Sequence, residues 1–464
     1  MRIYVSNMVL IQDAPENIKR WVEQQLTFIN PKHEQNQRLA NPDPSIKPEI
    51  KLYHNRDNGL IVPRGFGQYL VEKMHRSSVP FELVDHRLAA TSIDYGSRIQ
   101  LRHYQQQAVS AMTSSAQGGI IAPCGAGKTM ILLEAIARSK QKALWITHTK
   151  ELAYQALERA NQVFSLEEGD TGMIGDGKHE IGAKLTVALV QTLMRTDLKT
   201  IREEFGCIVV DEAHRMAARS FYIPVNQFSA KYRYWVTATP DRSDGLLGVV
   251  KATGGPILYT INQCEVPTII PDLKIIETNY QNLAGEEQYT RMITDVVNDF
   301  ERNHLIVQTI INAYEKGDFL LILSDRLEHL QTLKAALDHE LKSQGSVDET
   351  AILSGQLKKK DREKVMERVK DKEIPILFAT QLAREGLDLP FLNKLFLTSP
   401  KKAEGAIQQE VGRIMRPDEG KETATVYDFA DINDGLLEYQ FRKRLKAYEK
   451  TGMSIPPLPV YERS

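Results

Sequence analysis

The chain has 464 residues, with 59 Lys and Arg against 60 Asp and Glu, a formal net charge of −1 and three cysteines. That length builds two or three domains with full cores, and the even charge excludes a whole-molecule pull toward polyanions, leaving any such grip to a local groove. No stretch of about 18 apolar residues is present, which excludes a helical membrane span, and Cys124, Cys207 and Cys264 have no paired spacing, which points away from disulfides and zinc and toward a reducing, cytoplasmic setting.

The opening residues, Met1–Leu10, are too short and too mixed for a signal peptide. Residues 1–95 read as a small α+β module. A strand over Arg2–Val5 and a helix over Asn17–Leu26 precede a polar stretch marked by Asn30-Pro31, Asn41-Pro42-Asp43-Pro44 and Lys47-Pro48, which has loop character. Ile50–Tyr53 and Leu60–Pro63 read as a hairpin, with Asn58-Gly59 suited to its tight turn. A helix then runs from Arg64-Gly65-Phe66 to about Met74.

From about 96 to 260, strand-like apolar runs alternate with helical ones, as at Ala143–Ile146, Leu185–Leu189 and Ile208–Val210. Alternation of this kind means βαβ units and a parallel sheet covered on both faces. Within it, residues 122–129 read Ala-Pro-Cys-Gly-Ala-Gly-Lys-Thr, after the apolar run Gly118–Ile121 and before the helical run Met130–Leu133. Strand, glycine-rich turn, Lys-Thr, helix is the layout of a polyphosphate cradle. Such a cradle needs little side-chain bulk, inward backbone N–H groups and a helix N-terminus facing the charge. Cys124, Gly125, Ala126 and Gly127 make the turn, Lys128 reaches the β- and γ-phosphates, and Thr129 ligates Mg²⁺. Ala122 stands where the general pattern has its first glycine, and a loop that merely ends a strand is the plain alternative.

Downstream, residues 207–214 read Cys-Ile-Val-Val-Asp-Glu-Ala-His, a buried parallel strand with acids at its carboxyl end. Neighbouring residues there point apart. Asp211 can hold Mg²⁺ through water while Glu212 accepts a proton from the water that attacks the γ-phosphate.

Together, Gly-Ala-Gly-Lys-Thr and Asp211-Glu212-Ala213-His214 resemble a superfamily 2 helicase of the DEAH type, and the remaining motifs of that family follow in order over roughly residues 96–430. Leu101-Arg102-His103-Tyr104-Gln105 resembles the adenine-recognising Q motif, which implies a nucleotide contact for Arg102 and makes Gln105 the base reader. Thr147–Leu152 resembles motif Ia, Gln191-Thr192 a later strand-contacting motif, and Thr237-Ala238-Thr239-Pro240 motif III. Ala379-Thr380 through Ala383–Asp388 resembles motif V, and Gln408–Pro417 motif VI. The extension Thr239–Gly245 and the Leu-Arg-x-Tyr-Gln form are similar to the XPB, UvsW and RadD group of DNA helicases and translocases. DEAD-box proteins that act on RNA carry Asp-Glu-Ala-Asp and His-Arg-x-Gly-Arg instead, which places RNA lower as a substrate.

Alternation recurs from about 270 to 430, at Phe319–Leu323, Ala351–Leu353, Ile374–Phe378, Lys394–Leu397 and Ala424–Tyr427. The leucines Leu327, Leu330, Leu333 and Leu337 of a helix at 325–342 read as core, not as a zipper. The expected fold class is α/β: two tandem RecA-like parallel-sheet lobes with a small N-terminal α+β domain. The expected boundaries are 1–95, 96–265 (lobe 1, ATP-binding), 266–432 (lobe 2) and 433–464 (helix and tail). The basic run Phe441–Lys450 reads as a helix packed on lobe 2, with phosphate contact the lesser alternative.

Lobe 2 has no Gly-Lys-Thr, so it must serve the first lobe's nucleotide from across a cleft. Arg413 and Arg416 are three apart and would share a helical face toward the γ-phosphate, with Gln409 orienting the water; a surface ion-pair set is the plain alternative. The resemblance implies that Gly386 and Asp388 couple lobe 2 to nucleotide, that His214, Thr237 and Thr239 couple hydrolysis to the strand groove, and that Thr149, Lys150, Gln191, Thr192, Ser354, Gly355 and Thr380 hold a sugar-phosphate backbone. Short hydroxyls and backbone N–H groups bind phosphate without reading sequence. In the N-terminal module, Lys51, Arg56 and Arg64 offer a duplex or junction surface, with a purely packing role at even weight because the region's charges nearly cancel.

The reading is an ATP- and Mg²⁺-dependent DNA helicase, moving 3′ to 5′ by resemblance, on single-stranded, forked or branched DNA. A duplex translocase or annealing remodeller, an ATP-switched clamp and an RNA helicase are the alternatives.

Overall fold

The computed structural model describes residues 1–37, 41–56, 59–89, 91–123, 125–238, 245–282, 289–345, 349–380, 389–400 and 404–457, with the backbone alone at 35, 290, 359 and 404. Contacts divide the chain into two compact units, Met1–Val266 and Pro267–Ser464.

The first unit opens with seven strands: β1 (Arg2–Val5), β2 (Met8–Gln12), β3 (Thr27–Ile29), β4 (Glu49–Lys51), β5 (His54–Arg56), β6 (Gly59–Pro63) and β7 (Glu82–Asp85). Five of them form a sheet in the order β5-β6-β2-β1-β7. Its period-2 pattern turns Ile3, Val9, Ile11, Leu60 and Val62 inward, and helices Glu16–Gln25 and Gly67–Arg76 cover it with Ile18, Val22, Leu70 and Met74. The expected hairpin is corrected in one strand. β6 pairs with β5, His54 opposite Ile61, and along its length with β2. Ile50 instead lies on β4, opposite Phe28 of β3. Alternating apolar residues at 50 and 52 suit either partner, and the Leu52 N–H to Leu26 carbonyl bond turns that stretch toward β3.

Arg64 is a second correction. It is wholly buried and so cannot serve as a surface contact for nucleic acid. Its Nε donates to Gln117 Oε1 at 2.9 Å, and a terminal guanidinium N–H donates to the Ala230 carbonyl. Gly65 beside it has no room for a side chain: a Cβ would sit 2.4 Å from the Lys251 carbonyl. One apolar core joins Ile3, Val9 and Leu60 to Leu144, Ile208 and Trp235 of the following sheet.

That sheet has eight strands: β8 (Gln117–Ile121), β9 (Ala143–Thr147), β10 (Thr171–Gly175), β11 (Lys178–His179), β12 (Leu185–Leu189), β13 (Cys207–Val210), β14 (Tyr232–Thr237) and β15 (Ile257–Thr260). The order is β11-β10-β12-β9-β13-β14-β8-β15, and every pairing is parallel except β10 with β11. Parallel strands place all their carboxyl ends on one edge, where ligands of open α/β sheets bind. Thr237 lies opposite Ile121, and Val210 lies opposite both Trp235 and Ile146, so the segments after β8, β9, β13 and β14 meet there.

The second unit holds β16 (Asp272–Glu277), β17 (Leu320–Leu323), β18 (Thr350–Leu353), β19 (Ile376–Ala379), β20 (Lys394–Leu397) and β21 (Thr425–Ala430), in the order β16-β21-β20-β17-β19-β18 and parallel throughout. Helix Leu327–Ser343 buries Leu330, Leu333 and Leu337 in its core, while Leu327 is only partly covered. The basic helix Gly435–Lys450 packs on this unit: Arg444 Nε pairs with Asp428 at 2.8 Å and the Tyr448 hydroxyl donates to the same carboxylate at 2.6 Å.

One buried ion pair ties three strand ends to a helix. Arg302, on helix Phe300–Ala313, donates twice to Asp431 and once to the Thr398 carbonyl, while the Thr278 hydroxyl donates to Asp431. The two charged side chains are 0 % and 1 % exposed. Removing one partner strands the other charge away from water, so Asp431→Ala should cost about 3–5 kcal/mol. Denaturant unfolding of the full chain checks this, and Arg302→Met with Asp431→Leu should recover much of the loss.

Candidate active site

The loop between β8 and helix Lys128–Ser139 has the shape its glycines permit. Gly125 has φ +83° and Gly127 φ +76°, both left-handed. Gly127 caps the helix, and the helix's N-terminal N–H groups, with their partial positive charge, are suited to an anion such as a phosphate. Ala122, the departure from the glycine pattern, is buried, and its N–H bonds the Thr237 carbonyl at 2.9 Å.

Gln105 has a position that the sequence did not suggest. Its Nε2 donates to the Ala126 carbonyl at 2.8 Å, its Oε1 accepts from the Arg102 N–H at 2.9 Å, and the side chain is buried. The expected base reader is therefore also a tether of the phosphate loop. A Cβ on Gly127 would lie 2.4 Å from Gln105 Nε2. Gly127→Ala should therefore strain the loop twice, by its φ and by this clash, and weaken ATP binding at least about tenfold; titration with a fluorescent ATP analogue reads it.

After β13, Asp211 is buried and its Oδ1 accepts the Glu212 N–H at 2.9 Å. Glu212 adopts φ +50°, which a non-glycine residue holds only under constraint. Its Oε1 lies 3.7 Å from Lys128 Nζ and its Oε2 3.3 Å from His214 Nδ1. His214 Nδ1 is also 3.2 Å from the Thr237 hydroxyl. Burial, and then the charge of Glu212, push the Asp211 carboxyl well above the usual carboxylate range. Burial would raise Glu212 too, but Lys128, His214 and His148 together outweigh it and hold that carboxyl low. A divalent cation suits this donor set: the Thr129 hydroxyl and the buried Asp211 carboxylate are hard oxygen donors, and a cation would relieve the crowding of two carboxyls. Among the described residues no cluster of three or more His, Cys, Asp or Glu side chains forms another metal site.

His214 also faces a pocket of about 360 Å³ lined in addition by His148, Gln191, Arg215, Ser220 and Phe221. Gln191 Nε2 donates to the His148 carbonyl at 2.9 Å, which joins two of the expected nucleic-acid segments. Two neighbours of this pocket have structural duties of their own. Thr149 caps helix Lys150–Val163, accepting the Leu152 N–H. Lys150 pairs with Asp176, which raises its pKa, and the Tyr154 hydroxyl supports that carboxylate at 3.0 Å. Thr192 lies on the short helix Val190–Leu193.

In the second unit, Ser354 and Gly355 follow β18 and Thr380 follows β19, its neighbour, with the Thr380 N–H bonded to the Leu353 carbonyl at 3.1 Å. Gln409 and Arg413 lie four apart on helix Glu404–Ile414. Arg416 does not share their helical face, because the helix ends at Ile414. Cys124, Thr239, Gly386 and Asp388 lie outside the described residues. Lys421, which no motif flagged, donates to the carbonyls of Pro390, Ile414 and Arg416.

A phosphate loop and a paired-acid strand on one parallel sheet, followed by a second parallel sheet, define a nucleotide-driven motor of the two-lobe RecA-like class. Comparison with known proteins carries this further. The family described as "Type III restriction enzyme, res subunit" matches residues 98–242, and "Helicase conserved C-terminal domain" matches residues 301–418. A DNA 3′-5′ translocase XPB2 of Sulfurisphaera tokodaii is 23 % identical over 81 % of this chain and 88 % of its own length. A DNA 3′-5′ helicase XPB of Kineococcus radiotolerans is 25 % identical over 68 % of this chain and 57 % of its own. Protein L396 of Acanthamoeba polyphaga mimivirus, provisionally named an ATP-dependent RNA helicase, is 25 % identical over 99 % of this chain and 86 % of its own. Among solved structures, S. cerevisiae Dbp5 bound to RNA and ADP BeF3 shares the fold, with a TM-score of 0.56 at 16 % identity over 76 % of this chain and 89 % of that one. The chain belongs to the superfamily 2 helicases, in the group that contains XPB, and is an ATP-dependent nucleic-acid helicase. Among the described residues no helix is long and apolar enough to cross a membrane.

Proposed function

We propose that this protein is a DNA motor that moves 3′ to 5′ along one strand and opens forked or branched DNA. The observation that carries the reading is the unbroken polar path from Lys128 through Glu212 to His214, which touches Thr237 and also lines the pocket shared with Gln191. A change at the γ-phosphate thus has a short route to the groove side. The names of the XPB relatives supply DNA and polarity.

In this mechanism Lys128 and the helix N-terminus hold the phosphates. Thr129 and Asp211 would hold Mg²⁺, which would supply charge neutralisation at the phosphates. Glu212, kept ionised by Lys128 and His214, takes the proton of the attacking water, and Gln409 orients that water. Arg413 and Arg416 supply charge from the second lobe, with Asp388 and Gly386 linking that lobe to nucleotide. Loss of the γ-phosphate frees Glu212 and His214 to shift against Thr237. Thr149, Gln191 and Thr192 then exchange their hold on the backbone with Ser354, Gly355 and Thr380. Lys150 contributes to phosphate binding only by leaving Asp176. Residues 1–95 form an accessory domain, with Lys51 and Arg56 as its remaining basic contacts.

Steady-state ATPase activity with single-stranded, duplex and forked DNA and with RNA tests this, Glu212→Gln serving as control. Stimulation by forked or single-stranded DNA is the expected result. Preference for duplex indicates translocation without unwinding. An RNA helicase is the second reading, favoured by the mimivirus relative that aligns with nearly all of this chain, and stimulation by RNA alone would overturn the DNA assignment. No turnover under any condition would point to the ATP-switched clamp or to a missing partner.

A further inference from the structure

Lys421 lies outside every helicase motif, yet all three donors of its ammonium are engaged by backbone. Nζ bonds the Ile414 carbonyl at 2.6 Å and those of Arg416 and Pro390 at 2.9 Å each. Ile414 closes the helix that carries Gln409 and Arg413. A lysine on a last helical carbonyl is an ordinary cap. The other two carbonyls lie outside the helix: one belongs to Arg416 itself, and the other to Pro390, 31 residues before Lys421 and just after the stretch that resembles motif V. An ammonium has three donors and no acceptor, so this arrangement uses its full capacity to fix three chain segments at one point.

We infer that Lys421 is a positioning residue for ATP turnover, holding the backbone that presents Arg413 and Arg416 and tying it to the segment after motif V. The inference rests on the reading that these arginines act on the γ-phosphate. Arg416 lies beyond the last helical residue, and the Lys421 bond to its carbonyl restrains this stretch together with the Ile269 N–H on the Met415 carbonyl at 2.9 Å. Displacement of a charge-stabilising group by about 1 Å costs on the order of 10²-fold in rate. Burial first, with Arg416 adding and Asp418 opposing, pushes the Lys421 pKa down to about 8; Asp418 in turn lies 3.8 Å from Lys372. Deprotonation removes one of the three donors, so the clamp weakens as pH rises through that region.

The test is a double-mutant cycle on the full chain, read as nucleic-acid-stimulated ATPase. Lys421→Met should lower kcat at least about tenfold with KM for ATP within about twofold, and should have little further effect in a background lacking both arginines (Arg413→Ala with Arg416→Ala), because groups that act as a unit are not additive. Wild-type kcat in folded Lys421→Met, or an equal added loss in both backgrounds, overturns the inference. Arg413→Ala alone with unchanged kcat instead overturns the finger reading. Should Lys421→Met not fold, Lys421→Gln decides in its place: kcat should fall at least about tenfold with KM for ATP within about twofold, and wild-type kcat in the folded variant overturns the inference.

Discussion

Glu212→Gln should lower kcat for ATP hydrolysis by about 10²–10⁴-fold, the range of a positioned general base, with little loss of ATP affinity. The amide is isosteric and keeps an acceptor toward His214 Nδ1, which lies 3.3 Å from Oε2, but it cannot take a proton. In the proposed mechanism the phosphate contacts belong to Lys128 and the loop, so binding should persist. Charge matters as well as shape here. The 3.7 Å pair with Lys128 keeps Glu212 ionised despite its burial, so the substitution also leaves Lys128 with one fewer counter-charge, which favours a bound polyanion. The expected signature is therefore a dead enzyme that binds ATP as well as or better than wild type, read by single-turnover hydrolysis beside equilibrium titration. Substantial turnover in the variant would mean that another group activates the water.

The pH dependence follows from the same pair. A depressed carboxyl pKa leaves Glu212 ionised through the neutral range, so protonation of the base itself should add no acid limb to kcat there, and an acid limb near neutrality would instead report Asp211, whose carboxyl burial and the charge of Glu212 push up.

The ATP side of this site was legible in the sequence because its chemistry restricts residue type at fixed spacing. Glycine takes the φ values found at 125 and 127 without strain, and a strand of buried β-branched residues delivers two acids to a sheet edge. Parallel strands then bring the distant segments together without any further signal. What escaped the sequence was chosen by partners far away in the chain. Arg64 reads as a surface base, yet its partners Gln117 and Ala230 are 53 and 166 residues away and draw it into the core. Ile50 fits two pairings, and the choice falls to Phe28. Lys150 looks like a phosphate ligand until Asp176, at the turn after β10, claims it. Arg413 and Arg416 look like one helical face only while the helix is assumed to continue past Ile414. Lys421 binds carbonyls, which every residue has, so no side-chain pattern could announce it.

Arg413→Ala should reduce kcat by about 10³–10⁵-fold, as removal of an arginine finger does, while KM for ATP changes little because the contact strengthens only as charge develops on the transferring phosphoryl group. Two features of the second unit support the assignment to Arg413 ahead of Arg416. Arg413 lies in the last turn of helix Glu404–Ile414, where the helix dipole favours a cation, and it shares a face with Gln409 one turn earlier. Ile407, Val411 and Ile414 are buried on the other side of the same helix and fix its rotation. Arg416 depends on a loop, so Arg416→Ala should cost less than Arg413→Ala, a ranking that an unbroken helix would not produce. Arg413→Lys should stay at least about tenfold below wild type, since an ammonium on a flexible stem cannot reproduce a planar two-pronged contact with phosphate oxygens. Were Arg413 a surface ion-pair partner instead, Arg413→Ala would shift the melting temperature and leave kcat per folded molecule unchanged, so thermal unfolding measured beside kcat separates the two roles.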